Sequence, residues 1–427
     1  MFKCSKMAQK IVLCCDGTWN GKATGTPDTN VKIFANIIAD RTLNNSIDDG
    51  IRTFSTDGYA RVVYFDGVGV EGTITDYLVD AAIAEDIRTK CIEAYKFIVE
   101  EFSPGMKIWT LGFSRGAYTT RCIAGMINNI GIIDNTHISD DRLNDLCTTA
   151  YYMYRSKDPE YEPKGACSIE FKKTYSHNIK YPPVEFMGLF DTVGSLGVPK
   201  IDPGVSLSYD FYDQNISTEV EHVFQALATH DRLFAFEPCF ARRKELIRSA
   251  GGTVEQPVEF WFQGAHYDIG RVRFAPLRQG RSVEGTLRFI QSRTNIARLN
   301  VYFTEDYSSK VFRWMAGCMN NIDENILHGR EGLYEEYTHV NDPWLSPLRL
   351  NAYDKLYDRV KWIPFVDSVF GRQVLRDRHV PISRESIFYS PNNNPDNASF
   401  RSSVLGHKSR AFDVREATTL NPIIWRM

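Results

Sequence analysis

The stretch "LGFSRGAYTT", residues 111–120, places Ser114 between Gly112 and Gly116. A serine so flanked is either a nucleophile on a tight turn or one more hydroxyl at a helix start, where serine is favoured as an N-cap. The Gly-x-Ser-x-Gly pattern cannot decide this alone, since chance supplies it in roughly one chain in seven of this length. Its flanks are more informative. "KIWTLGF" (107–113) is an apolar, β-prone run, and "RGAYTTRCIAGMINNIG" (115–131) reads as a helix closed by Gly131. Ser114 therefore stands at a strand-to-helix turn.

The same rhythm extends in both directions. "KIVLCCDGTWNG" begins with a short buried strand, about 10–15, followed by a turn. "NVKIFANIIAD" (30–40) carries apolar residues at 31, 33, 34, 37 and 38, a helical spacing. "RVVYFDGVG" (61–69) is a second strand ending in Asp-Gly. Residues 77–102 form the clearest amphipathic helix, with Val79, Ile83, Ile87, Cys91, Tyr95 and Ile98 on one face and Pro104-Gly105 as its stop. Further on come the strand "VEFMGLF" (184–190), an expected helix near 219–230, the strand "VEFWFQGA" (258–265) and an expected helix near 306–319. Strands alternating with amphipathic helices predict an α/β fold: an α/β-hydrolase-like, mostly parallel sheet with helices on both faces and inserted cap segments. Residues 134–182, with Pro159, Pro163, Pro182 and Pro183, break the rhythm and are expected to be such a cap or lid. The core is expected over 1–298, and 299–427 as a C-terminal helical or irregular extension packed on it. "SPNNNPDNASF" (390–400) is expected to be an exposed loop.

Composition narrows the function classes. The chain has 427 residues, 43% hydrophobic and 24% charged, with a formal net charge of −3. That is globular composition, without the basic stripe that nucleic acid requires. Nine cysteines without a C-x-x-C pair predict free, mostly buried thiols. The five apolar residues before Asp16 are too few for a signal-peptide core, and no apolar run approaches eighteen residues, so a cytoplasmic location is expected. His137, His177, His222, His230 and His328 show no metal spacing, and neither a metal nor an organic cofactor is expected.

In open α/β sheets ligands bind beyond the carboxyl ends of the strands. Ser114, Asp191 and His266 each follow an apolar strand, and their order along the chain is that of α/β-hydrolase triads. Ser114 would be the nucleophile, His266 the base and Asp191 the acid that fixes the imidazole. Gly112 and Gly116 would give the turn its room. The Arg115 backbone N–H would be one oxyanion donor and Gly17 or Thr18 the other. Each has a plainer reading: an N-cap for Ser114, a turn former for Asp191, a structural histidine for His266. Asp66 is the runner-up acid, and Asp268 is expected to anchor its loop. "CCDGT" also resembles the D-x-D-G-T of haloacid-dehalogenase phosphatases, but Cys14 stands where the nucleophilic aspartate belongs, so that chemistry is excluded. Asp16 is left to support the turn carrying the oxyanion donor.

Six blocks together point to a family: "IVLCCDGTWNG", "TNVKIFANII", "VVYFDGVGV", "LGFSRGAYTTRCIAGMINNIGII", "FMGLFDTVGSLGVP" and "FWFQGAHYDIG". They resemble, in order over about 10–270, the α/β-hydrolase domain that includes the catalytic domain of type VI secretion phospholipase effectors. The resemblance implies a Ser-Asp-His triad on Ser114, Asp191 and His266, and that some relatives cleave phospholipid acyl esters. In one departure, Arg271-Val272-Arg273 replaces the glycines that usually follow the histidine block. The expected activity is a serine hydrolase acting on carboxylic esters, with lipid or phospholipid acyl esters as substrates and peripheral contact with a membrane surface. The alternatives are a non-lipid esterase or thioesterase, and an inactive hydrolase-like binding protein.

Overall fold

The computed structural model describes residues 9–17, 28–39, 51–55, 59–67, 80–194, 215–228, 231, 238–248, 251–262, 264–272, 303, 305–327 and 386–388. Strand β1 (Lys10–Cys15) leads to helix α1 (Asn30–Ala39), then β2 (Ile51–Ser55) and β3 (Ala60–Phe65). Helix α2 (Asp80–Glu101), strand β4 (Lys107–Phe113) and helix α3 (Arg115–Ile130) follow. Helices α4 (Asp140–Arg155) and α5 (Ala166–Tyr175) come next, then β5 (Val184–Phe190), β6 (Val220–Ala228) and β7 (Val258–Phe262). A five-residue helix α6 (His266–Gly270), helix α7 (Glu305–Ile322) and strand β8 (Ser386–Phe388) complete the described elements.

The strands form one eight-stranded sheet in the order β2-β3-β1-β4-β5-β6-β7-β8. Every neighbouring pair is parallel except β2 with β3. A parallel strand covered on both faces must be apolar throughout, and β1 is buried at every position. Its Ile11, Leu13 and Cys15 point into one core with α2, α3, α4 and α5. Val12 and Cys14 point into the other, with α1 and α7, where Phe34 stacks on Phe312 at 4.3 Å. Residues 305–322, within the expected C-terminal extension, thus close the second face, and β8 extends the sheet beyond β7. The described cysteines are free thiols, all buried except the half-buried Cys167.

Residues 219–230 are a correction. The expected helix is strand β6, held between β5 and β7. Val220, Val223, Phe224 and Leu227 fall at i, i+3, i+4 and i+7, which imitates a helical face, yet ladder bonds on both sides fix the segment as a strand.

The 134–182 insertion forms α4, a short 3₁₀ turn (Pro159–Tyr161) and α5. These pack on α2 and α3 in the first core. Tyr154 lies against Gly125, and Ser176 Oγ and Lys172 Nζ donate to Ile130 O and Asn128 O at the C-terminal end of α3. At the other end of α3, Arg155 Nη1 donates to Tyr118 OH at 3.4 Å, one turn from Ser114. The 390–400 segment lies outside the described residues.

Register aligns the carboxyl ends. Cys15 pairs with Phe65 and Gly112, Phe113 with Phe190, Phe190 with Ala226, and Ala228 with Phe262. The residues after β1, β3, β4 and β5 (Asp16, Asp66, Ser114 and Asp191) therefore leave the sheet along one rim.

Candidate active site

Ser114 has φ 55° and ψ −122°, a backbone conformation that side chains other than glycine rarely adopt. Such strain costs about 1–3 kcal/mol and persists only where neighbours impose it. Here Ser114 N donates to Phe190 O at 2.9 Å, tying the turn to β5. The flanking glycines are obligatory for the same reason. A Cβ on Gly116 would sit 2.2 Å from Cys15 O and 2.5 Å from Asp16 O, and one on Gly112 would sit 2.5 Å from Ala117 Cα. All three atoms are backbone, so the clash has no side chain to move aside. Helix α3 thus rests directly on the end of β1 and lifts Ser114 clear of the sheet. Ser114 has no side-chain capping bond, unlike an N-cap serine.

The hydroxyl meets the imidazole instead. His266 Nε2 lies 2.9 Å from Ser114 Oγ, and His266 Nδ1 lies 2.7 Å from Asp191 Oδ2. Asp191 is fully buried, and its Oδ1 accepts from Ala228 N at 3.1 Å. Residues 77 and 75 positions apart in the chain thus form one row. Asp191 also takes a positive φ, 43°. The next residue is anchored deeply: Thr192 Oγ1 donates to Gln225, whose Nε2 donates to Glu259 at 2.8 Å. Burial raises the Glu259 carboxyl above its ordinary range, against hydrogen bonds from Ala241 N–H and Gln225. Beneath the row, the Phe113 ring lies 4.6 Å from the His266 ring and leaves no room for a Cβ on Gly270.

The turn after β1 stands next to the hydroxyl. A Cβ on Gly17 would be 3.1 Å from Ser114 Cβ and 2.3 Å from the Phe113 ring. Gly17 N donates to Asp16 Oδ1 at 2.7 Å, while Asp16 Oδ2 accepts from Thr29 Oγ1 at 2.6 Å and Tyr64 OH at 2.5 Å. Asp16 so pins this turn to α1 and β3. Burial pushes its carboxyl up to about 7; the three donors pull it down, and Asp66 adds a small push upward. Thr18 lies outside the described residues. Arg115 opens α3, where helix geometry directs N–H groups past the terminus.

The remaining expected residues also have places. Asp268 Oδ2 accepts from Ala265 N at 2.8 Å, anchoring the loop before His266. Asp66 follows β3, and its main-chain carbonyl accepts from Lys90 Nζ; the carboxylate at His266 Nδ1 is that of Asp191. Asp231, singled out by no sequence pattern, is fully buried and accepts from His266 N at 3.0 Å. Among the described residues no group of three His, Cys, Asp or Glu is placed to hold a metal ion. Within them, too, no helix is long and apolar enough to cross a membrane.

A hydroxyl hydrogen-bonded to an imidazole, itself hydrogen-bonded to a buried carboxylate, is the arrangement that turns serine into a nucleophile. The family model for the catalytic domain of Tle1-like type VI secretion (T6SS) phospholipase effectors matches residues 9–317, from β1 into α7. The chain belongs to this family. The uncharacterized protein YEL023C of Saccharomyces cerevisiae is 28% identical over 203 residues, which are 45% of this chain and 28% of that protein. The match thus spans little more than a quarter of the yeast relative. Among solved structures, the Tle1 effector bound to the VgrG spike shares 14% identity, with 94% of this chain and 84% of that one covered and a TM-score of 0.34. An uncharacterized protein from Pseudomonas aeruginosa also shares 14%, with 86% and 64% covered and a TM-score of 0.27. The fold of this chain is defined by the strand order above.

Proposed function

We propose that this protein is a serine hydrolase that cleaves acyl esters of phospholipids through an acyl-enzyme on Ser114. The observation that carries the reading is the row Ser114 Oγ, His266, Asp191, closed at 2.9 and 2.7 Å on a strained strand-to-helix turn. Ser114 Oγ attacks the ester carbonyl while His266 Nε2 takes its proton. Asp191 holds Nδ1–H and stabilises the imidazolium. The Arg115 N–H, at the head of α3, donates to the tetrahedral oxyanion. A second donor comes from the turn after β1, at Gly17 or Thr18; in the resting protein Asp16 holds the Gly17 N–H. Each such donor is worth about 3 kcal/mol in the transition state. The leaving alcohol takes the proton back from His266. Water, deprotonated by the same imidazole, then releases the fatty acid. Neither metal nor cofactor enters this scheme.

Family membership directs the choice of phospholipid. The test presents purified protein with phosphatidylcholine and phosphatidylglycerol vesicles and, in parallel, with a short-chain nitrophenyl ester. Free fatty acid from vesicles, absent in Ser114→Ala, is the expected result. Cleavage of the short ester alone would replace the lipid substrate with a small ester or thioester. A folded wild type inert to both would leave a binding protein on a hydrolase scaffold.

A further inference from the structure

We propose that Asp231 is a second carboxylate serving His266, a positioning residue that fixes the histidine's main chain and whose negative charge supports the imidazolium. The inference rests on the hydrolase reading above. His266 is the first residue of a five-residue helix. A helix that short does not hold itself together in water, yet its first side chain has to meet Ser114 and Asp191 at once. External clamps supply the rigidity. Asp231 Oδ2 accepts from His266 N at 3.0 Å, Asp268 Oδ2 accepts from Ala265 N at 2.8 Å, and Asn30 Nδ2 donates to Ile269 O at 2.9 Å.

Asp231 differs from the other two clamps by acting on the histidine itself. It follows β6, the strand lying between β5, which delivers Asp191, and β7, which delivers His266. Like Asp191, it falls between Ser114 and His266 in chain order. Asp231 and His266 are both buried, so water screens the charge little. A buried carboxylate held on the main-chain N–H of the histidine therefore acts on any positive charge that its ring gains during turnover. The other charged groups on elements packed around α6 are Asp191 after β5, Asp16 after β1, Asp268 within α6, Arg115 of α3, Lys32 of α1 with its partner Asp28, Glu221 of β6, and Glu305, Asp306, Lys310 and Arg313 of α7, where Glu305 pairs with Arg271 at 3.0 Å. Of these, Asp191 contacts the imidazole, and Asp231 the amide that carries it.

The test is Asp231→Asn, which keeps an oxygen acceptor for His266 N–H and removes the charge. Wild type and variant are compared for nitrophenyl-ester hydrolysis, alongside thermal melting. Expected are a roughly tenfold lower kcat with KM and melting temperature unchanged, a split that neither lost substrate binding nor lost folding would give. Should Asp231→Asn not fold, Asp231→Ser, which offers an uncharged acceptor, must show the same loss of kcat. A folded variant with the wild-type kcat overturns the proposal while leaving the hydrolase reading intact. A folded wild type with no hydrolysis overturns both.

Discussion

Replacing Asp191 by Asn tests the row at its buried end without changing its shape. In the wild type, Oδ2 accepts from His266 Nδ1 at 2.7 Å and Oδ1 accepts from Ala228 N at 3.1 Å. An asparagine can satisfy the Ala228 N–H only by turning its amide oxygen that way. Its NH2 then faces Nδ1, which must become an acceptor, and the ring proton moves to Nε2, 2.9 Å from Ser114 Oγ. An imidazole protonated at Nε2 cannot take the serine proton. The opposite amide orientation restores the tautomer but sets two donors face to face and leaves a buried N–H unsatisfied, costing about 1–3 kcal/mol. Loss of a hydrogen bond to a charged group adds about 1.5–3 kcal/mol in the imidazolium state. Together these amount to about 4–5 kcal/mol, or a kcat loss of about 10³–10⁴-fold, in line with the ~10⁴-fold typical of this replacement in Ser-His-Asp sites. The assay is steady-state hydrolysis of a soluble nitrophenyl ester, with melting curves to show that the variant is folded. Asp191→Asn within tenfold of wild-type kcat would refute the reasoning and pass the acid role to another carboxylate.

Ser114→Ala and His266→Ala should each abolish turnover to a similar residual level, and the double variant should be no worse, because a nucleophile and its base act as a unit; additive losses in the three rate measurements would contradict this. Gly116→Ala puts a methyl 2.2 Å from a main-chain oxygen, so urea unfolding should show at least about 2 kcal/mol of destabilisation, with hydrolysis lost as the Ser114 turn shifts; an unchanged midpoint would mean that α3 does not rest on β1 as described. Asp16 gives a pH signature. Its folded value of about 7 lies above the ordinary 3.8, so between these values the folded state holds a proton that the unfolded chain has lost. Its contribution is therefore fully present below about pH 4 and is lost as pH rises through 7, by at most about 4 kcal/mol. Urea titrations at pH 5 and pH 8 should show a smaller drop in Asp16→Asn than in wild type, and equal drops would reject the shift.

Most of this site is legible in the sequence because it lies at strand ends. "KIWTLGF", "VEFMGLF" and "VEFWF" are β-prone apolar runs of strand length, as a doubly covered parallel sheet requires, and each delivers one member of the row a few residues later. The Gly112 and Gly116 requirement is equally visible, since close backbone approach has a residue type of its own. Other features leave no such mark. The strand character of β6 is one, because Val220, Val223, Phe224 and Leu227 satisfy helical and strand burial alike, and only the neighbouring strands decide. Asp231 has no motif because its partner is a main-chain N–H, present at nearly every residue. The three-residue β8 lies more than 120 positions from its partner β7, a pairing that local periodicity cannot reveal. The packing of α4 and α5 on α2 and α3 is likewise tertiary, since amphipathic helices declare an apolar face but not the surface it meets.

The central claim is that His266 makes Ser114 nucleophilic within a single folded site. Its most direct test is treatment of the purified protein with a fluorophosphonate, followed by intact-mass measurement and peptide mapping. The account predicts one adduct per chain, on Ser114, and none in a folded His266→Ala variant. A folded wild type that stays unmodified, or an adduct on any other residue, would contradict it.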